Sequence, residues 1–482
     1  MAHVVVVGGG NAGFSAAHAA AARGRDVVLL ERGLPDEAGG NSYYTAGAFR
    51  IAHQGLDDVA GMLDPDPRLA ETVLAPYPEE QFVRDLREVT GGRADRGLSA
   101  ALAAESGPAL HWLHGLGLRF RLMYERQSYP DEHGRHVFFG GLAVGSTGGG
   151  KGLIEQHTRA AAAAGVDVRY GYRCGDLLID NGHVRGVHWT GPDGTAGVTE
   201  AESVVLAAGG FEANPQWRRE HLGAGWERAL VRGTPLNTGD MLRAALAAGA
   251  ARGGDWSSCH AVAWDANAAA SGDRELTNRL TRQSYPLGIV VNVDGRRFLD
   301  EGADFRNYTY AKYGGEILRQ PRGLAFQIFD AGIRPMLRTE EYDAPGTSVV
   351  IAQSIDELAA ALETPELART VEEFNAGIDE SVPFQASVKD GRASRAEPPK
   401  SNWALPIRTP PFYAFPVTCG ITFTFGGLRA DEHGRVLTGS GSALAGLFVC
   451  GEMLGGLFSG NYPGGTGLTA GAVFGRRAGT LA

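Results

Sequence analysis

The stretch HVVVVGGGNAGFSAAHAAAARGRDVVLLE, residues 3 to 31, decides the fold. His3 to Val7 is a short β-branched run of the kind found in a strand buried on both faces. Gly8, Gly10 and Gly13 then fill a G-x-G-x-x-G turn, and the alanine-rich sequence from about Ala12 to Arg23 predicts a helix. Val27 to Leu30 reads as a second strand and ends in Glu31, about 20 residues beyond the turn. The grouping has a physical cause. One glycine makes the tight turn, another lets the backbone approach a diphosphate at the positive end of a helix dipole, and a third lets helix and strand pack closely. The acid accepts hydrogen bonds from ribose hydroxyls. Together these features predict a dinucleotide site containing Gly8, Gly10, Asn11, Ala12, Gly13, Glu31 and Arg32.

Composition narrows the ligand. The chain has 482 residues, enough for two large units, with 43% hydrophobic and 21% charged residues as in folded globular proteins. Net charge is −10 and no basic block occurs, which argues against nucleic acid or an anionic membrane surface as partner and favours small molecules. Cys174, Cys259, Cys419 and Cys450 are far apart, so zinc, iron–sulfur and attached-haem sites are not expected, nor any other metal, and a reducing cytoplasmic compartment is. The apolar stretch Val4 to Ala22 lacks a basic flank and is broken by glycines, so it reads as neither signal peptide nor membrane span.

Further along, Gly39-Gly40-Asn41-Ser42 follows a short loop, and Ser146 to Gly152 is a small-residue run before a helix starting near Leu153. Val166 to Tyr170 is strand-like, Leu177 to Asp180 and His183 to Trp189 suggest a β-hairpin, and Ser203 to Ala208 is an apolar strand running into Gly209-Gly210-Phe211. Gly446 to Glu452 is another apolar strand, ending at a glycine and an acid before a glycine-rich turn and a last helix from about Leu468. A nicotinamide dehydrogenase does not need this second dinucleotide-type segment. A flavin protein whose FAD domain is completed by the far end of the chain does.

These features resemble the flavoprotein subunits of succinate dehydrogenase and fumarate reductase. The residues concerned are the opening fingerprint with Glu31, Gly39 to Ser42, LAAGGF (Leu206 to Phe211), Thr238-Gly239-Asp240, FVCGE (Phe448 to Glu452) and the last glycine turn. Within that superfamily the chain looks like the FAD-dependent tricarballylate dehydrogenases. That likeness rests on GGGNAGFSAA (Gly8 to Ala17), ERG followed by GGNS, APYPEEQFVRDLREVTGGR (Ala75 to Arg93), RRFLDEGADFRNYTYAKYG (Arg296 to Gly314) and GNYPGGTGLTAGAVFGRRAG (Gly460 to Gly479). The resemblance implies an α/β fold: a Rossmann-like FAD-binding domain, 1–253 and 415–482, with an inserted α+β capping domain, 254–414. Residues 356 to 376 hold helical patterns and Asp379 to Asn402 reads as a polar surface loop.

The resemblance further implies FAD chemistry at adjacent carbons of a small carboxylate, with tricarballylate to cis-aconitate as the type reaction. Electrons would pass to a separate acceptor, such as a membrane-bound iron–sulfur protein. Arg306, after Arg297-Phe298-Leu299-Asp300-Glu301, takes the place of the family's proton-exchanging arginine, with Asp304 and Glu301 as neighbours able to help. His260 falls where the family holds a substrate carboxylate, and Arg279, Arg282, Phe423 and Thr424 are candidate substrate contacts. Two family residues differ: Phe423 stands where fumarate reductases carry a histidine, and Tyr462 where they carry an arginine. Tyr462, with Tyr308, instead suggests the ketone-polarising tyrosines of 3-ketosteroid dehydrogenases, an alternative alongside the same chemistry run as a reductase. Tyr43, Tyr44 and Thr45 replace the histidine of covalent members, so FAD should be noncovalent. Asn41, Ser42, Thr45, Ala46, Gly47, Ala208, Gly209, Gly210, Asp240, Gly451, Glu452, Gly467 and Leu468 complete the expected cofactor set together with Gly39. A flavin-binding partner protein without turnover and a nicotinamide dehydrogenase are the alternatives from other classes.

Overall fold

The computed structural model describes residues 2–482. Strand Ala2–Val7, helix Asn11–Ala22 and strand Val27–Glu31 form the expected strand–turn–helix–strand unit, with the two strands parallel and Val4 opposite Val27. The helix ends at Arg23, where Gly24 takes φ +77°, the left-handed geometry in which glycine terminates helices. Strand Asp167–Tyr170 adds beside Val27–Glu31, and Ala196–Leu206 adds on the other side of Ala2–Val7. That long strand serves two neighbours. Residues 196–200 pair with the hairpin Arg173–Asp180/His183–Thr190, while Val204 to Leu206 pair in parallel with strand Ala443–Val449. Residues separated by more than 400 positions thus share one sheet, and Val4 to Val7 and Val27 to Leu30 are buried within it.

The second sheet is built on two long antiparallel strands, Arg252–Asp265 and Phe412–Leu428, registered from Arg252 opposite Leu428 to Asp265 opposite Val417. Strands Ala325–Asp330, Ile289–Asn292 and Val350–Ala352 extend the end distal to the first sheet, and a separate apolar cluster drawn from residues 287 to 415 fills behind them. The divisions expected near 253/254 and 414/415 fall inside strands that run unbroken. Helices Ile355–Leu362 and Leu367–Ala376 occupy the region of helical pattern, and residues 379–402 hold no helix or strand. The loop is not wholly superficial, however, because Lys400 is fully buried and donates to the Gly288 carbonyl.

The closing helix Thr466–Leu481 lies on helix Asn11–Ala22 through a stripe of Gly471, Gly475 and Gly479. A Cβ on Gly475 would stand 2.5 Å from the Ala12 carbonyl oxygen and 2.9 Å from Ser15 Cβ, so the two backbones are as near as side-chain-free residues allow. Among the described residues no helix is long and apolar enough to cross a membrane, no group of ligating side chains is placed to hold a metal, and all four cysteines are free and buried.

Candidate active site

A continuous cavity runs from the Gly8–Ala12 turn, past Ser42 to Ala46 and the Gly451–Leu468 region, to an aromatic end under the second sheet. At its first end Gly10 caps helix Asn11–Ala22 and lines the cavity, and a Cβ there would meet the Ser42 hydroxyl at 3.4 Å and the Gly39 carbonyl oxygen at 3.8 Å, both ordinary contacts. Asn11 fixes this turn. Its backbone N–H donates to Ser42 Oγ (3.0 Å), its Nδ2 to the Leu468 carbonyl (2.8 Å), and its Oδ1 contacts His157 Nε2 at 3.0 Å. Glu31 accepts the Gly9 and Gly33 N–H groups at 2.6 and 2.7 Å. Burial pushes its carboxyl upward, opposed by those two backbone donors. Each carboxylate oxygen retains a lone pair for a ribose hydroxyl. Arg32 and Asp240 also line this end but bind each other, with Arg32 donating to Leu236 O and Thr238 Oγ1 and Asp240 also pairing with Arg173. Asp240 is therefore an ion-pair node.

Midway, Glu452 accepts from the Thr424 backbone N–H at 2.7 Å and its hydroxyl at 3.1 Å. Behind it the buried Glu212 accepts from Asn41 Nδ2 and Asn237 Nδ2, both at 2.6 Å, while its other oxygen has no partner but the neighbouring carboxyl. Desolvation, and then the charge of Glu452, push Glu212 well above the ordinary carboxylate range, and burial raises Glu452 as well.

The far end combines aromatic walls with cations. His260 stacks on Phe423 (5.2 Å) and meets Tyr310 and Tyr462 edge-on, and neither of its ring nitrogens has a partner. Burial, and then Arg232, hold its pKa well below the usual histidine range, so the ring is neutral. The Tyr310 and Tyr462 hydroxyls lie 2.7 Å apart. Arg306 is 6% exposed, donates to Gln283 Oε1 (3.0 Å) and to the Arg126 carbonyl, and leaves its Nε–H unpaired. Arg232 is 7% exposed and donates to Thr422 Oγ1 (2.8 Å) and Asn278 Oδ1. Arg126, the third guanidinium, is neutralised by Glu341 at 2.6 Å and by Glu340.

Of the expected residues, the structure gathers Arg306, His260, Tyr462 and Phe423 at this end, while Thr424 binds Glu452 midway. Ala208, Gly209, Gly451, Glu452, Gly467 and Leu468 line the middle of the cavity. Others lie elsewhere. Arg279 is exposed, and Arg282, although fully buried, is spent on Asp265 (2.7 Å) and the Glu341 carbonyl, where it ties the second sheet to a neighbouring loop. The Tyr308 hydroxyl turns away to Asp85 (2.5 Å) and the Gly140 carbonyl, so Tyr310 takes the place expected for it beside Tyr462. Glu301 is locked to Arg297 and Asp304 lies by Lys389, and neither contacts Arg306. Gly13, Gly39, Gly47 and Gly210 are packing glycines, with no wall of the cavity: a Cβ would collide with Gly8 O, Ile154, Gly149 and Glu452 respectively. Arg232, Arg126, Gln283, Asn278, Tyr310 and Glu212 were not anticipated. Only Tyr310, inside the RRFLDEGADFRNYTYAKYG stretch, carried a local signal.

The donor set fits FAD. A side-chain-free helix N-terminus lines the cavity where a diphosphate would lie, a carboxylate stands at the ribose position, and small residues run from there to the aromatic end. Known proteins agree. A probable fumarate reductase of Shewanella frigidimarina is 28% identical over 486 residues, covering 99% of this chain and 74% of that protein. A 3-oxosteroid 1-dehydrogenase of Mycobacterium tuberculosis is 30% identical over 351 residues, covering 66% of this chain and 60% of that protein. The chain thus spans between about three fifths and three quarters of those relatives' length. The 3-ketosteroid Δ1-dehydrogenase of Sterolibacterium denitrificans, solved with 1,4-androstadiene-3,17-dione, shares the fold with a TM-score of 0.76 at 20% identity, over 100% of this chain and 99% of that one. The FAD binding domain family matches residues 3–468. With the diphosphate turn, the ribose acid and the completing C-terminal segment all in one cavity, the chain belongs to the FAD binding domain family, within the succinate dehydrogenase/fumarate reductase flavoprotein superfamily, and its cofactor is FAD.

Proposed function

We propose that the protein is an FAD-dependent dehydrogenase that introduces a C=C bond beside a carboxylate, with tricarballylate to cis-aconitate as the type reaction. The observation that carries this reading is Arg306, a buried guanidinium on the cavity with only neutral partners. A buried cation without an acid is unfavourable unless an anion arrives, and a substrate carboxylate is that anion. FAD, when bound, supplies the hydride acceptor. The protein's part is to align the substrate and deal with the proton released from the adjacent carbon, whose C–H electron pair becomes the new C=C bond. In this reading Arg306 exchanges that proton, Gln283 and the Arg126 carbonyl hold its side chain, and neutral His260 offers a ring N–H to the substrate. Residues 254–414 would act as the cap over this end, in the cytoplasm, with electrons leaving to a separate acceptor protein.

A second reading rests on the Tyr310–Tyr462 hydroxyl pair set in an aromatic wall, which suits a ketone oxygen and a steroid-like body. An anaerobic flavin-bleaching screen over di- and tricarboxylates and a 3-ketosteroid separates the two. Bleaching by tricarballylate that disappears in Arg306→Ala supports the first. Bleaching by the steroid alone, or full reduction of Arg306→Ala, removes it.

A further inference from the structure

We propose that Arg232 is a second carboxylate-binding residue of the cavity and makes the enzyme selective for substrates bearing at least two carboxylates. The proposal rests on the carboxylate reading above and deepens it.

Arg232 follows strand Leu230–Val231, which pairs in parallel with the long strand Phe412–Leu428, and its own N–H donates to the Ile421 carbonyl at 2.8 Å. Its backbone is thus part of a sheet. Its side chain is held equally firmly: Nε–H and one Nη2–H go to Asn278 Oδ1, and one Nη1–H goes to Thr422 Oγ1. A guanidinium has five N–H donors, so one hydrogen is left on each Nη. Those two remain available to the oxygens of a carboxylate. The partners that orient the group are neutral, and Glu341, the carboxylate whose charge bears on it, is committed to Arg126 at 2.6 Å. Burial accordingly weakens the hold of Arg232 on its proton. The same guanidinium bears on His260, Tyr310 and Tyr462, which places its charge among the groups at the aromatic end.

Two buried structural arginines have an acid, Arg282 with Asp265 and Arg297 with Glu301, while Arg218 is held by the Ala229 and Glu227 carbonyls. Arg232 has a positioning amide and hydroxyl instead, together with a cavity in front of it. That arrangement is unfavourable for folding alone and favourable for holding an anion.

The test titrates the anaerobic, dithionite-reduced FAD holoenzyme, which cannot oxidise the ligand, with tricarballylate and with butanoate and follows the flavin difference spectrum. For Arg232→Gln, tricarballylate affinity should fall by at least about tenfold, the loss typical of one hydrogen-bonded charged contact, while butanoate, which keeps the Arg306 contact, changes less than about twofold. FAD content should be unchanged. The thermal midpoint without ligand should hold or rise, because an uncompensated buried charge is gone. Asn278→Ala, which frees the guanidinium without removing it, should weaken tricarballylate by a smaller factor and serves as the readout if Arg232→Gln does not fold. Equal tricarballylate affinity in wild type and both variants, or a loss of FAD in place of a loss of carboxylate, overturns the proposal while leaving the dehydrogenase reading intact. No response of the wild type to any carboxylate overturns both.

Discussion

Replacing Gly475 by alanine sets two known effects against each other. In a helix interior alanine is favoured over glycine by about 1 kcal/mol. Here, however, the new Cβ would stand 2.5 Å from the Ala12 carbonyl oxygen, 2.9 Å from Ser15 Cβ and 3.2 Å from the Ala16 nitrogen, where ordinary contact is 3.4–4 Å. Two of those three atoms are backbone, so the helices themselves must part by roughly 1 Å, and overpacking of this kind costs about 1–3 kcal/mol. The net expectation is destabilisation by up to about 2 kcal/mol, together with faster FAD release, because Ala12 lies in the helix turn that lines the cofactor cavity. Urea unfolding of the holoenzyme by circular dichroism, with flavin fluorescence reporting release, measures both. Gly115→Ala, at the end of helix Arg96–Gly115 with nothing within 4 Å, is the control and should be neutral or slightly stabilising. A Gly475→Ala protein that gains about 1 kcal/mol and keeps its flavin would refute the close packing of the two helices.

Lys400 is buried with its pKa lowered to about 7, chiefly by desolvation, against 10.5 when unfolded. The unfolded chain therefore binds one more proton between those values, and stability should rise as pH goes from 7 towards 10 by an amount on the order of 3–5 kcal/mol; in Lys400→Met this rise should vanish, as measured by denaturant midpoints across that range. Glu212 behaves oppositely. Its folded pKa lies above the unfolded one, so its contribution is present below about pH 4.5 and lost as pH rises through the folded value. Glu212→Gln should flatten the loss of stability as pH rises; an unchanged pH profile would refute the upward shift of Glu212.

The cofactor end was legible because its chemistry is local. A turn, a helix start and an acid at a strand end lie within 31 residues, and glycine positions carry the geometry directly. Gly13 packs against Gly8 as the third glycine of the turn should, but Gly210, expected on the cavity, makes room for Glu452 instead. The substrate end was less legible because its groups converge from five separate segments around 126, 232, 260, 306 and 462. An arginine next to a motif has the same letters whether an acid waits for it in the fold or not. Arg282 found Asp265 and became structural, whereas Arg232 found Asn278 and stayed open. The Tyr308/Tyr310 exchange is a register effect: Tyr308 lies in the short turn Arg306–Tyr308 and Tyr310 opens the helix that follows, so their rings face different neighbours.

The contact between Asn11 and Leu468 joins positions 457 apart in the chain. A ribosome makes the phosphate-gripping turn long before it makes the segment that closes over it, so the nascent N-terminal half lacks one wall of the cavity. Loop closure over such a distance is slow relative to local folding. Completion of the cofactor site is therefore a late event in the life of each new molecule, and until then the apolar faces of the first strand and helix have to be shielded by something other than their final neighbour.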